Sequence, residues 1–221
     1  MSRRPGRPAG GRVRIASVCA AAALAVAGCG GSLFQSKVPP PTVYLLSAEG
    51  GAPGAPLDAA LAVLKPLVRS GLNTDWIAAY YPDRHLDHYA GASWSGPLDE
   101  VIQDLAVQAF RAGANLSSVS ADGSAFPDGY WLELAVDDFQ AEYATPGAAP
   151  VVSVRLRARV GSASNRRVLG VFQASAHRAA AADRLGAIVA AYNAAANAAL
   201  AELVADTSRT IGAVAPPRPP E

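Results

Sequence analysis

Residues 152–160 read VSVRLRARV, and this stretch decides the fold. Val152, Val154, Leu156, Ala158 and Val160 alternate with Ser153, Arg155, Arg157 and Arg159. That puts an apolar row on one side of a β-strand and a polar, basic row on the other, so one face is core and the other meets water. Downstream, residues 168–176 alternate less cleanly, and the loop with Gly161, Ser162 and Asn165 between the two runs predicts a hairpin. Upstream, Leu132, Leu134 and Val136 share one parity while Phe139, Ala141 and Tyr143 share the other. The chain therefore changes face at Asp137–Asp138 through a bulge or bend. Arg155 and Arg157 are then placed to pair across the sheet with Glu133 and Asp137, at about 0.2 to 1 kcal/mol per pair. These charges read as a solvated sheet face.

Helices flank the strands. Gly96 can serve as N-cap, Pro97 fits the first helical position, Asp99 favours the positive N-terminal end, and Gly113 is placed to end the element. Leu98, Val101, Ile102, Leu105 and Ala109 form a stripe at helical spacing, with Asp99, Gln103 and Arg111 elsewhere. Residues 180–204 predict a second long helix, rich in alanine, with Leu185, Ile188, Val189, Tyr192, Ala196, Ala199 and Leu203 on one face. Nearer the N-terminus, Thr42–Leu46 and Leu61–Val68 read as short strands, the second interrupted by Pro66. Trp76–Tyr81 and His85–Ala90 flank a turn with Pro82 and Asp83, which predicts another hairpin. The expected class is α/β: a single mixed β-sheet with flanking helices, including a long C-terminal Ala-rich helix.

The first 28 residues have a different character. Arg3, Arg4, Arg7, Arg12 and Arg14 precede an uncharged run from Ile15 to Ala27 that ends Val26-Ala27-Gly28-Cys29. The run is well short of the roughly 20 residues needed to span a bilayer, so it reads as a secretory signal and not a membrane span. Small residues before a cysteine resemble the bacterial lipobox, which makes Cys29 the expected lipidation site and the first residue of the mature chain. Cys19 leaves with the signal, and acylation accounts for the one thiol left in an oxidising compartment. Gly30 rather than aspartate follows Cys29, which favours the outer membrane, periplasmic face, as destination. The expected organisation is a signal at 1–28, a lipidated tether at 29–41, one domain at 42–206 and a disordered, proline-rich tail at 207–221. Removing the signal takes five of the 19 basic residues and none of the 18 acidic ones. The acidic remainder argues against nucleic-acid binding.

The search for chemistry points away from catalysis, metals and cofactors. Asp83, His85 and Asp87 alternate along a presumed strand, with His88 opposite, but no further His or Cys cluster supplies the second half of a metal site. Gly91-Ala92-Ser93-Trp94-Ser95 approaches a nucleophile elbow but lacks its final glycine. His177 has no evident acid partner, and Gly50, Gly51 and Gly54 belong to a proline-containing loop and not to a phosphate-binding one. Trp76, Tyr80, Tyr81, Tyr89 and Trp94 are the candidates for partner contact, because aromatic side chains dominate binding hot spots. In a hairpin, half of them must face the core.

The stretch from Arg69 to Asp99, RSGLNTDWIAAYYPDRHLDHYAGASWSGPLD, resembles the signature of the ABC-type transport auxiliary lipoproteins. Its elements are Tyr44-Leu45, Ser70-Gly71-Leu72, Ile77-Ala78, Leu86 to Ala90, and Trp94 before a proline-initiated helix containing Gln103. Ser93 and Trp76 stand where that family usually carries basic residues. The resemblance implies a non-enzymatic subunit of a lipid-transport system, acting with an MCE-domain protein and an ABC permease/ATPase complex. It implies docking of that assembly at the outer membrane, and it allows a homo-oligomer. The rival readings are a stand-alone periplasmic ligand-binding lipoprotein, which needs a large apolar cavity, and a hydrolase, which needs a base beside Ser93.

Overall fold

The computed structural model describes residues 40–50, 54, 56–121 and 128–215. The signal, Cys29 and the tether before Pro40 lie outside the described residues, as do residues 216–221. Among the described residues are nine strands in one mixed sheet and two helices. In chain order these are β1 (Thr42–Tyr44), β2 (Leu57–Val63), β3 (Leu67–Val68), β4 (Trp76–Tyr80), β5 (Leu86–Trp94), α1 (Leu98–Gly113), β6 (Leu116–Ser120), β7 (Tyr130–Glu142), β8 (Val151–Ser162), β9 (Val168–Ala179) and α2 (Leu185–Gly212). The expected class is the observed one.

The organising strand is β7. Along one edge it runs antiparallel to β8 for its whole length, and β9 continues the ladder beyond β8. Along its other edge three strands pair parallel to it in succession. β2 meets Tyr130–Leu132, β3 meets Ala135–Val136, and β4 meets Ala141–Glu142. β6 extends the first wing beyond β2, and β5 with β1 extends the last beyond β4.

Both helices cover the same face of this sheet, α2 over β8 and β9, α1 over β2, β3 and β6, and they touch each other. The alternation of 152–160 holds: Val152, Val154, Leu156, Ala158 and Val160 are buried beneath the helices. The change of parity in β7 holds too. A register shift between Val136 and Asp138 keeps Leu132, Leu134, Val136, Phe139 and Ala141 all in the core. At its centre Trp94, Phe139 and Tyr192 pack with ring centroids 5.1–6.0 Å apart. The Tyr192 hydroxyl donates to the Ala78 carbonyl at 2.6 Å, which satisfies this buried phenol. By length and composition α2 could cross a membrane, but most of its apolar window is buried against the sheet, as in a core helix.

Several expectations need correction. The helix expected over 180–204 starts at Leu185 and continues to Gly212. Its start is late because residues 180–184 carry the chain from the end of β9 to the helical layer, with the Ala180 amide held by the Pro150 carbonyl. Its end is late because Thr207 and Ile211 extend the buried stripe by two further turns, so residues 207–212, expected in the tail, are helical. Pro97 is the N-cap rather than the first helical residue. Asp99, expected away from the apolar stripe, is buried. Burial opposes its ionisation, but hydrogen bonds from Asn73 and Lys65 hold its carboxyl below the ordinary range. The strand expected over 61–68 is two, β2 and β3, parted around Pro66, and β2 begins at Leu57, four residues ahead of the expected start. β6 was not anticipated at all.

Gly161 lies opposite Trp131 in the β7–β8 ladder, and the indole covers the space a side chain would need. A Cβ there would also stand 2.7 Å from the Arg167 carbonyl. Gly161→Ala is expected to destabilise the domain by about 1–3 kcal/mol. A urea titration would show this as a lower midpoint with an unchanged slope.

Candidate functional site

With both helices on one side, the opposite face of the sheet is uncovered, and its two halves differ in chemistry. Over β7, β8 and β9 it is charged and internally paired. Arg157 grips Asp137 through two bonds of 2.6 and 2.7 Å, and this guanidinium holds the Asp137 carboxyl below the usual carboxylate range. Arg159 reaches Glu133 at 3.3 Å, while Arg155 at 3.4 Å and Arg69 at 2.9 Å share Asp138. Pairing across the strands is therefore present, in part with other partners: Glu133 meets Arg159, directly opposite it in the ladder, and past the bulge Arg155 takes Asp138. Exposed pairs of this kind stabilise by about 0–1 kcal/mol each, so they matter more for the surface they present than for stability.

Between these pairs runs a groove of ≈ 410 Å³ lined by Leu67, Val68, Ala135 and Val171, with Arg69, Arg157 and Arg159 at its rim. Leu67 and Val171 are each 65% exposed. Two further grooves, of ≈ 620 and ≈ 560 Å³, lie against α2, beside the end of α1 and beside the end of β9 respectively. The layer between helices and sheet is filled by Leu61, Ile102, Leu105, Phe110, Phe139 and Tyr192, all fully buried.

The second half of the open face, over β4, β5 and β1, carries the aromatic candidates, and the structure divides them. Trp76 points from the open face and is 55% exposed. Its ring stands edge-on to His88, centroids 5.5 Å apart, and the His88 Nε2 is buried without a partner among the described residues. Tyr80 is half-buried and pairs with Leu86 across the hairpin. Tyr81 is sandwiched between His85 and Tyr143, at 4.6 and 5.0 Å. Tyr89 is half-buried and donates its hydroxyl to that of Tyr143 at 3.0 Å; burial, with this bond second, pushes its phenol far up. Trp94, a candidate for partner contact, is instead 2% exposed in the core, where it has no surface to offer. It faces the opposite way from Trp76 because β5 carries extra residues between His88 and Ser93, with Gly91 at φ 69° inside that bulge.

The other weighed residues find ordinary roles. His85 pairs with Asp83 at 2.5 Å on an exposed turn, and among the described residues no three His, Cys, Asp or Glu side chains gather as metal ligands. Ser93 is buried in β5, one residue before its end, opposite Trp76. His177 meets Ser153 at 2.9 Å across the β8–β9 ladder.

Residues 44–205 match the model of a family described as the ABC-type transport auxiliary lipoprotein component, and the chain belongs to that family. Membership makes it a lipoprotein component of an ABC-type transport system, in a family that is not one of enzymes. The fold is shared with protein XCC0632 from Xanthomonas campestris, of the DUF330 family, at 24% identity and a TM-score of 0.68. That match covers 78% of this chain and 98% of the other. A second solved structure, of an uncharacterized protein, has 16% identity and a TM-score of 0.57, and covers 78% of this chain and 99% of its own. No curated protein matches the chain.

The Tyr143 phenol closes the open end of the hairpin wing by donating to Asp183 at 2.6 Å, just ahead of α2. Burial first, and the Asp183 carboxylate second, push it up to about 12. A raised phenol contributes stability that is complete below the ordinary value of about 10 and is lost as pH rises through about 12. Alkaline difference spectra are therefore expected to show a late-ionising tyrosine that Tyr143→Phe removes. The same substitution is expected to flatten the loss of stability above about pH 10.

Proposed function

We propose that this chain is the outer-membrane-anchored periplasmic subunit of an MCE/ABC-type intermembrane lipid-transport system, and that it docks the complex at the outer membrane. Residues 1–28 are removed, Cys29 is acylated, and residues 30–41 tether the folded domain. What carries the reading is the uncovered sheet face in a chain of the transport auxiliary lipoprotein family. Such a face, with an apolar groove framed by arginines, has the anatomy of a protein interface: a desolvated centre inside a polar rim. Arginine is enriched among the residues that dominate such contacts.

In this reading the MCE-domain protein seats on Leu67 and Val171. The four surrounding arginines are largely offset by Glu133, Asp137 and Asp138, with Arg69 and Arg155 sharing Asp138, so recognition rests more on shape and register than on the single positive charge left over. The domain holds the assembly and performs no covalent step.

The test is an affinity pull-down of the tagged, membrane-extracted lipoprotein followed by mass spectrometry. Wild type is expected to recover an MCE-domain protein with its permease. Cys29→Ala is expected to leave the outer-membrane fraction. Leu67→Glu/Val171→Glu is expected to stay anchored and folded while recovering at least tenfold less partner. Recovery of the lipidated protein alone, with a bound small molecule, would replace this reading with a stand-alone binding lipoprotein.

A further inference from the structure

The aromatic half of the open face is distinct from the charged half. Val43 in β1, Ser93 in β5 and Trp76 in β4 form one cross-strand row. Behind it on the same face come Ala78 beside His88, then Tyr80 beside Leu86. None of these seven positions is Asp, Glu, Lys or Arg, whereas β7 and β8 present Glu133, Asp137, Arg155, Arg157 and Arg159. Val43 is 56% exposed, and Leu45, just past the end of β1, is 72% exposed. With Trp76 they are among the most exposed large apolar side chains of the domain, and they cluster at the strand by which the chain enters its fold.

We infer that this row, Val43 and Trp76 with Leu45 at its margin, is the surface on which the domain rests against the headgroup region of the membrane that holds its acyl chains. The inference builds on the reading of Cys29 as the lipidated residue. Twelve residues, 30–41, separate Cys29 from β1 and reach at most about 40 Å when fully extended, so the wing is never farther than that from the bilayer. A tethered weak contact of this kind acts at high effective concentration and needs little intrinsic affinity. Indole is the side chain best suited to the lipid–water boundary, with an apolar body and one N–H that stays wet. The lack of formal charge at these seven positions removes the desolvation cost that a row of ion pairs would impose there, while the exposed charges of the wing, Asp75, Asp83, Arg84 and Asp87, lie outside the row. A second copy of the chain is a poorer occupant. Stable protein contacts bury about 800 Å² per partner, well beyond three side chains, and β1 has only three residues of edge to offer.

Tryptophan emission tests this directly, because Trp76 is the exposed one of three tryptophans, Trp94 being core and Trp131 lying over Gly161. The full, processed lipoprotein would be reconstituted into vesicles of phosphatidylethanolamine and phosphatidylglycerol. These would be doped with phosphatidylcholine brominated near the glycerol end of its acyl chains. Bromine is expected to quench a substantial part of the emission, and Trp76→Phe to abolish most of that quenching. Val43→Ser/Leu45→Ser is expected to reduce the quenching severalfold and to restore acrylamide access to Trp76, with flotation of the protein on the vesicles unchanged. Protein that floats while Trp76 stays unquenched overturns the membrane contact alone and leaves the anchor intact. Protein that neither floats nor carries acyl chains on Cys29 overturns both. Shielding of Trp76 without vesicles, rising with protein concentration, assigns the row to a second copy and also overturns the proposal.

Discussion

The strand Tyr130–Glu142 has to satisfy partners on both edges at once, and the bulge between Val136 and Asp138 is what makes this possible. On one edge it meets a single long partner. On the other it meets the ends of three short strands that arrive from different parts of the chain. A side-chain period of two would turn Phe139 and Ala141 to solvent if the first half of the strand faces the helices. The extra residue resets the parity, so the whole strand presents apolar side chains to α1 and α2. It also sets two neighbouring acids, Asp137 and Asp138, on the open face, and both are taken up by arginines of β8 and by Arg69. Core continuity and open-face chemistry thus share one local irregularity.

Features carried by local periodicity were legible in the sequence. The β8 alternation, the parity switch at Asp137–Asp138, the hairpin at Pro82–Asp83 and the apolar stripe of α1 all appear at or near their expected residues. What escaped depends on tertiary context. β6 has the composition of a loop and becomes a strand because β2 offers it an edge. The start of α2 is set by the distance the chain must cross after β9. Trp94 and Trp76 look equivalent by composition, yet a bulge around Gly91 sends one into the core and leaves the other in water. Gly91, at positive φ between two apolar runs, was the available signal for that reversal.

Functionally, the consequence is an asymmetric sheet. One face is sealed by helices, and its interior is filled by aromatic and aliphatic side chains rather than hollowed for cargo. The other face is divided into a charged, grooved half and an uncharged aromatic half. Adjacent strands rotate by about 20–25°, so over the three steps from β5 to β8, the middle strands of the two halves, the face turns by roughly 60–75°. A membrane beside the first half and a protein partner on the second are therefore geometrically compatible. The proposed docking role calls for both contacts, one to the bilayer and one to the assembly.

Site-specific photo-crosslinking in cells would show whether the uncovered face over β7–β9 receives the transport partner. A photoreactive residue placed at Val171, with Cys29 intact, is predicted to yield one dominant adduct with an MCE-domain protein. Adducts with other copies of this chain only, or with no protein while a probe on α2 captures the partner, would contradict the account.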